Sequence, residues 1–210
     1  MDKRKHLMDH ATRLFALKGY GNISIRDIAK SSNLNSAMIG YYFSSKDFLL
    51  HEILRTYYAP ILNFIEKTLS KEQPPLSKIS SIMKFVTEHV FENTHSTYVF
   101  FQEGMTMGEA YDQSKNSVTK SHKTLMETLL SLFDQENDFR HVKFEFNPLL
   151  MVYALGGTIK EIFYKNKELL LAGSTIENRL KICELKISAI DFQSYLLNSC
   201  ADKELASEKK

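Results

Sequence analysis

Residues 24–49, SIRDIAKSSNLNSAMIGYYFSSKDFL, carry three helix-start signals in close succession, and that spacing constrains the fold more than any other feature of the chain. Ser24 stands three residues before Asp27, a capping pattern in which each side chain reaches the other's backbone N–H. Ile23 and Ile28 have the spacing of a hydrophobic staple, and Ile25, Ile28 and Ala29 share one helical face. Asn33 tolerates a left-handed backbone and is expected to end this helix. Asn35 is expected to cap the next. Leu34 and Ile39 are again staple-spaced. Ser44 with Asp47, and Phe43 with Phe48, repeat the pattern a third time. Three short helices in so tight a succession have the layout of a helix-turn-helix unit.

A helix that enters the major groove of DNA must be short, amphipathic and free of acid on its outer face. Residues 35–42 contain no acid. With Ile39 and Phe43 turned inward, Ser36, Met38 and Tyr41 are left facing out. Phosphates are bound by hydroxyls, ammonium groups and the N–H groups at helix starts, and Ser24, Tyr42, Ser45 and Lys46 suit that chemistry. The same layout also occurs as a packing unit that binds no DNA.

Leu7, Ala11, Leu14-Phe15, Gly19-Tyr20, Ser24, Ile28-Ala29, Leu34, Tyr42-Phe43, Ser45-Lys46 and Leu49 form an ungapped string that resembles the N-terminal domain of the tetracycline-repressor (TetR) family of bacterial transcription regulators. The resemblance covers residues 7–49. It implies that Ser24, Tyr42 and Lys46 touch phosphate and that Asn35, Ser36, Ala37 and Met38 lie nearest the bases. Two positions depart from the family's habit. Asn33 stands where Gly is common, and Gly40 stands where Tyr is common. Gly40 weakens the helix and removes a DNA contact, for which Tyr41 is the available substitute.

The charge distribution fits. The chain has 210 residues and a net charge of only +2, but residues 1–50 carry an excess of four positive charges and the rest an excess of two negative ones. Lys3, Arg4 and Lys5 are either an arm toward the DNA backbone or an ordinary solvated terminus. No apolar run reaches the ~20 residues of a membrane span, and the basic N-terminus lacks the apolar stretch of a secretory signal. Cys183 and Cys200 make no CxxC pattern, so reduced, buried thiols in a cytoplasmic protein are expected.

Periodicity predicts an all-α chain: a helix-turn-helix domain at 1–47, a helical regulatory and dimerisation domain at 48–200, and a flexible tail at 201–210. The opening helix has Leu7, Ala11, Leu14 and Phe15 on one face and stops at Gly19. A helix from about Ser45 to Leu69 meets Pro60, where it kinks or breaks. Further helices are expected at about 76–92, 98–104, 113–133, 148–166 and 175–198. Residues 72–75 form a turn, 134–146 a connection, and Asn147-Pro148 is a helix start.

In the last helix Ile176, Leu180, Cys183, Ile187 and Ile190 make one apolar stripe, and Ile182, Leu185, Ala189, Phe192 and Leu196 a second. Two apolar faces need two burial partners. The first stripe, with Gly156 and Gly157 in the preceding helix allowing close approach, is the candidate dimer interface; burial within one monomer is the alternative. A twofold dimer suits a palindromic operator.

Residues 98–111 combine aromatic and Met side chains, which line adaptable apolar pockets. Phe100, Phe101, Met105, Met107, Tyr111 and Tyr153 are the ligand-site candidates, with Glu103 available to a cationic ligand; ordinary core is the alternative. Glu92 and His95 have the Glu-x-x-His spacing of carboxylate-bridged metal sites, but a second copy is absent. No phosphate loop, dinucleotide fingerprint, zinc-protease or Gly-x-Ser-x-Gly motif occurs. The expectation is a non-enzymatic transcription regulator without metal or cofactor, its partners double-stranded operator DNA, an apolar or amphipathic small-molecule effector, and a second copy of itself. Release of a repressor from DNA by its ligand is the mode the resemblance implies. A helical protein–protein adaptor, and after it a helical metalloenzyme, are the other classes considered.

Overall fold

A computed structural model describes residues 2–104, 116–135, 148–172 and 175–201 of the chain. All regular structure among them is helical. The helices gather into two compact units, Met1–Pro60 with Asn93–His122, and Ile61–Glu92 with Lys123–Lys210.

The first unit opens with α1 (Lys3–Lys18), whose start is fixed by Asp2: its carboxylate accepts from the backbone N–H of Arg4 at 2.9 Å and of Lys5 at 3.3 Å. Gly19, at φ 82°, ends the helix in a backbone conformation that costs a glycine little. A 3-10 turn (Tyr20–Asn22) leads to α2 (Ile25–Ser32) and α3 (Ala37–Phe43). Leu7, Ala11 and Phe15 of α1, Ile28 of α2, Ile39 and Phe43 of α3, and Leu49 of α4 (Lys46–Leu69) are all fully buried. Each large apolar side chain so buried contributes about 1.5–3 kcal/mol. These residues are the inward faces that the sequence periodicity predicts. The unit also takes in α6 (Thr94–Val99), packed on α1, and a π-helical turn at Phe100–Gly104.

Helix α4 runs through Pro60 without breaking. Proline removes one N–H from the helical ladder and leaves the carbonyl four residues earlier, that of Thr56, without its partner. Thr56 and Pro60 are both exposed, so water is available to that carbonyl.

The second unit is built on α5 (Pro75–Glu92), α8 (Pro148–Lys165), α9 (Lys167–Leu171) and α10 (Ile176–Ala201), with the ends of α4 and of α7 (Asn116–Gln135). Pro75 and Pro148 each take the first helical position, where their missing N–H costs nothing. Buried Ile79, Ile82, Met83, Val86 and Val90 line one face of α5. Phe64 and Phe85 stack with ring centres 4.1 Å apart, and Phe91 meets Phe163 edge-on at 5.3 Å.

Several predicted elements shift. Helix α6 starts at Thr94 rather than Tyr98, and the segment to Gly104 continues as the π-helical turn. Short helix α9 is not predicted; it follows the turn at Asn166, whose side-chain amide donates to the carbonyl of Ile162 at 2.9 Å. Helix α7 extends to Gln135, while 136–147, with Asn147, lie outside the described residues.

On α10 the second predicted stripe is incorrect in part. Ala189 is buried and Ile182, Leu185 and Leu196 are half-buried, but Phe192 is exposed and Gln193 takes the inward place. The amide oxygen of Gln193 accepts a hydrogen bond from Thr87 Oγ1 at 2.9 Å, which makes burial of that polar oxygen tolerable. The first stripe stays outside: Ile176, Leu180 and Ile187 are 81%, 61% and 57% exposed, and Ile190 is half-buried. Cys183 is exposed too, against the expectation of a buried thiol, because it shares that outward face; the side chain of Cys200 lies outside the described residues. Among the described residues no helix is long and apolar enough to cross a membrane.

Candidate nucleic-acid interface

The caps that shape the reading unit form locally, most of them as their residues predict. Ser24 and Asp27 make a reciprocal box: Asp27 N–H donates to Ser24 Oγ at 3.2 Å, and Ser24 N–H donates to the Asp27 carboxylate at 2.8 Å. The Ser24 hydroxyl also donates to that carboxylate. This bond, more than any other influence, holds the Asp27 carboxyl below its usual range. The Ser24 hydroxyl proton is therefore already engaged, which leaves the backbone N–H groups at the start of α2 as the donors facing solvent there.

Asn33 sits at φ 53°, ψ 38°, in the left-handed region, and Leu34 N–H returns to the carbonyl of Ala29 at 3.0 Å. An Asn serves this turn as Gly does in relatives of the resembled family, because its short polar side chain tolerates positive φ. Asn35 Oδ1 accepts from Ala37 N–H at 2.9 Å, so its side chain caps α3 although the helix proper begins at Ala37.

The third signal is displaced by one residue. Ser44 takes φ 61°, and Ser45, not Ser44, accepts the N–H of the third residue on, Phe48, at 3.0 Å. That shift turns Phe48 outward and puts Leu49 in the core, so the predicted Phe43–Phe48 staple does not form. Asp47 instead accepts a hydrogen bond from the Tyr20 hydroxyl at 2.5 Å.

With Ile39 and Phe43 fully buried, α3 presents its other side to solvent. Ser36, Ala37, Gly40 and Tyr41 are exposed, and Met38 and Tyr42 half-buried. Tyr41 is 81% exposed and rests edge-on against Tyr42 with ring centres 5.0 Å apart. Lys3, Lys5, Arg13, Lys18, Arg26 and Lys30 are all exposed. Arg26 and Lys30, one turn apart on the side of α2 opposite Ile28, are a polar pair that helical spacing alone makes legible.

Lys46, a predicted phosphate ligand, and Arg4, expected either in an arm toward DNA or in a solvated terminus, have partners inside the fold. Lys46 Nζ donates to the carbonyls of Tyr20 at 3.1 Å and Ile23 at 2.9 Å, and lies 4.0 Å from the centre of the Tyr20 ring. Arg4 is no loose arm. It belongs to α1, pairs with Glu52 of α4 and lies 5.0 Å over the Phe43 ring. Glu52 is buried and also accepts from Arg55 at 2.8 Å and 3.1 Å; the Arg55 hydrogen bonds lead the influences that hold its carboxyl below the usual range.

Of the ligand candidates, Phe100 and Phe101 are buried in the first unit. Phe100 packs on Tyr57, Tyr58 and His122, with ring centres 5.8, 5.1 and 5.7 Å away. The Tyr57 hydroxyl accepts from Thr97 Oγ1 at 3.2 Å, and the Tyr58 hydroxyl shares a hydrogen bond with His122 Nδ1 at 3.0 Å. Burial raises both tyrosines and lowers His122. Met105, Met107 and Tyr111 lie outside the described residues. Tyr153 belongs to the second unit, where it is 60% exposed on α8 and borders an open depression with Gly157, Thr158 and Glu161. Glu92 meets Lys186 at 3.4 Å. Among the described residues no three His, Cys, Asp or Glu gather as a metal site.

Comparison with known proteins places this geometry. The family model described as bacterial regulatory proteins, tetR family, matches residues 7–53. The chain is 25% identical over 137 residues to the uncharacterized HTH-type transcriptional regulator YuxN of Bacillus subtilis (strain 168), taking in 64% of this chain and 47% of YuxN; it thus spans about half of that relative's length. It is 23% identical over 159 residues to the biofilm operon icaADBC HTH-type negative transcriptional regulator IcaR of Staphylococcus aureus (strain Newman), over 75% of this chain and 83% of IcaR. Its fold is similar to that of AibR, solved in complex with isovaleryl coenzyme A and operator DNA, with a TM-score of 0.69, 14% identity, and coverage of 91% of this chain and 97% of that one. The family match falls on the three-helix unit whose caps and core hold α3 outward, and residues 7–53 form a DNA-binding domain of the tetR family of bacterial regulatory proteins.

Proposed function

We propose that this DNA-binding regulator is a homodimeric repressor that leaves its operator when a small apolar or amphipathic ligand binds. One observation carries the DNA-reading part. The acid-free α3 is anchored by buried Ile39 and Phe43 and turns Ser36, Ala37, Gly40 and Tyr41 to solvent. In this reading Asn35, Ser36, Ala37, Met38 and Tyr41 meet the bases, and the start of α2 after Ser24, Tyr42 and Lys46 meet the phosphates.

Dimerisation is supported by α8 and α10. Ile176, Leu180 and Ile187 are exposed in a single chain, and a Cβ added at Gly156 or Gly157 would meet nothing within 4 Å. A second copy packed on this face would bury them. The ligand assignment rests on buried Phe100 and Phe101, the first two residues of a π-helical turn, a helix irregularity frequent at functional sites. IcaR, by name a negative regulator, and AibR, solved with an acyl coenzyme A and operator DNA, are similar chains with such properties. A ligand acts as a switch only through different affinities for two dimer conformations, and α4, which like α7 contributes residues to both units, is an element that links them in sequence.

Selection of duplexes from a random pool by the purified protein tests the reading. One inverted-repeat sequence should be enriched. Retention of all sequences alike, or of none at low salt, removes the proposed function.

A further inference from the structure

His6 and His10 stand one turn apart on α1, on the face that meets the end of α2. Side chains four residues apart on a helix lie one above the other. The two imidazole rings accordingly sit with centres 4.5 Å apart and planes inclined at 57°. Both are half-buried. One nitrogen of each ring is used inside the fold. His6 Nε2 lies 3.0 Å from the carbonyl oxygen of Ser32, which only accepts, so this nitrogen carries a proton. His10 Nδ1 is 2.9 Å from Ser31 Oγ, a hydroxyl that can accept as well as donate. The second nitrogen of each ring, His6 Nδ1 and His10 Nε2, has no hydrogen-bond partner among the described residues, and both reach solvent.

We propose that His6 and His10 form a two-imidazole site for one borderline divalent cation (zinc, nickel or copper) on the face of α1 beside α2, with water completing the coordination. The spacing is the first reason: histidines at i and i+4 on one helical face offer two nitrogens to one metal. The separation is the second. Nitrogens about 2.1 Å from a shared cation put their ring centres roughly 4.5–5 Å apart, and these rings are 4.5 Å apart. Helical side chains also lean toward the N-terminus, which carries the far nitrogen of His10 toward His6. The third reason is the hydrogen bonding. A metal-binding histidine commonly donates its other ring N–H to an oxygen, which fixes the tautomer and leaves a lone pair for the metal. The Ser32 carbonyl does this for His6, and Ser31 Oγ is placed to do it for His10. An imidazole ligates only when neutral. Burial, followed by the charges of His6 and Arg13 and against that of Asp9, holds His10 below its ordinary pKa, so the ligating form is present at neutral pH. Imidazole suits these metals, whereas magnesium and calcium take oxygen ligands. The site does not rest on the reading of α3 as the groove-entering helix.

The test titrates the full-length protein, free of any histidine tag, with nickel chloride and zinc chloride at neutral pH, by calorimetry and thermal melting. The tightest site should take one cation per chain. Melting should rise by about 5 °C or more at about a hundredfold excess over the dissociation constant. Magnesium chloride should leave it unchanged. The rise should fade below about pH 6.5, where imidazole takes up a proton. His6→Gln and His10→Gln should each weaken the site by about 10-fold or more. Glutamine is a good helix former and its amide can still donate to the Ser32 carbonyl, so both variants should fold. Cys183→Ser removes an exposed soft donor and should keep the site. A readout without variants is the broadening of histidine ring proton resonances by a small amount of nickel. Two of the seven histidines should broaden before the rest. The proposal is overturned by no rise with either metal, by an equal rise with magnesium, by a tight site that survives either histidine substitution or is lost in Cys183→Ser, or by broadening spread evenly over the histidines.

Discussion

The ammonium of Lys46, at the first position of α4, is fastened to the Tyr20 carbonyl at 3.1 Å and rides 4.0 Å from the centre of the same residue's ring. With the second bond, to Ile23, it ties the connection between α1 and α2 to the start of α4. Three N–H donors are present on an ammonium, so two carbonyls leave one for a phosphate. Lys46→Ala should therefore act twice. Stability should fall by about 1–2 kcal/mol from lost charge-assisted bonds, and the slope of log affinity against log salt should become shallower by about one unit. Thermal melts and DNA titrations across salt measure both. A lower melting temperature with an unchanged slope would make Lys46 a strut and not a phosphate ligand.

Glu52, buried between Arg4 and Arg55, gives the first unit a pH dependence. Its carboxyl is held below its usual value in the folded state, chiefly by the Arg55 hydrogen bonds. A depressed folded pKa contributes stability that is present above the unfolded pKa, about 4.3 for Glu, and is lost as pH falls through the lower folded value. Glu52→Gln should cost about 1–3 kcal/mol at neutral pH, because hydrogen bonds between charged groups become weaker ones. It should also flatten the wild-type loss of stability below about pH 4.3. Chemical denaturation at a series of pH values reads both effects, and parallel curves for the two proteins would count against the role.

A single chain leaves Ile187 57% exposed, so a charge there is compatible with a folded monomer. Wild type should sediment as a dimer. Ile187→Glu should sediment as a monomer with an unchanged helical circular-dichroism spectrum, since a carboxylate in a dry interface costs several times thermal energy. An Ile187→Glu protein that remains dimeric places the interface elsewhere.

Phe101 is buried, so alanine there opens a cavity and costs about 3–5 kcal/mol, which confuses a binding test. Phe101→Leu is milder. A ligand found by thermal shift should change operator affinity by roughly 5–150-fold in wild type, and Phe101→Leu should weaken that ligand without altering operator affinity in its absence. Ligand binding that leaves operator affinity untouched would separate the pocket from any switch.

The helix starts and stops of the reading unit were legible in the residues because each is a contact across a few positions. Ser24 reaches Asp27, Asn35 reaches Ala37, and Asn33 needs only its own φ. The same holds for the inward faces, since Leu7, Ala11, Phe15, Ile28, Ile39 and Phe43 follow from helical periodicity. The outward residues of α3 followed in turn, as what is left once the inward face is assigned. Other features were not legible, because they depend on groups far apart in sequence. Arg4 meets Glu52 across 48 positions, and Lys46 meets Tyr20 across 26. A basic residue read alone is equally suited to a phosphate, a carboxylate or a carbonyl, and only the packing of α1 and α4 decided among them. The positive φ of Ser44 is likewise a tertiary decision; the cap is at Ser45, and Phe48 is left exposed while Leu49 is buried. On α10, Gln193 displaced an apolar residue from the inward face because Thr87 of another helix stood where it could donate to the amide. Local chemistry thus determined the helices and their faces, while long-range pairing determined which polar side chains are held inside the fold and which remain exposed.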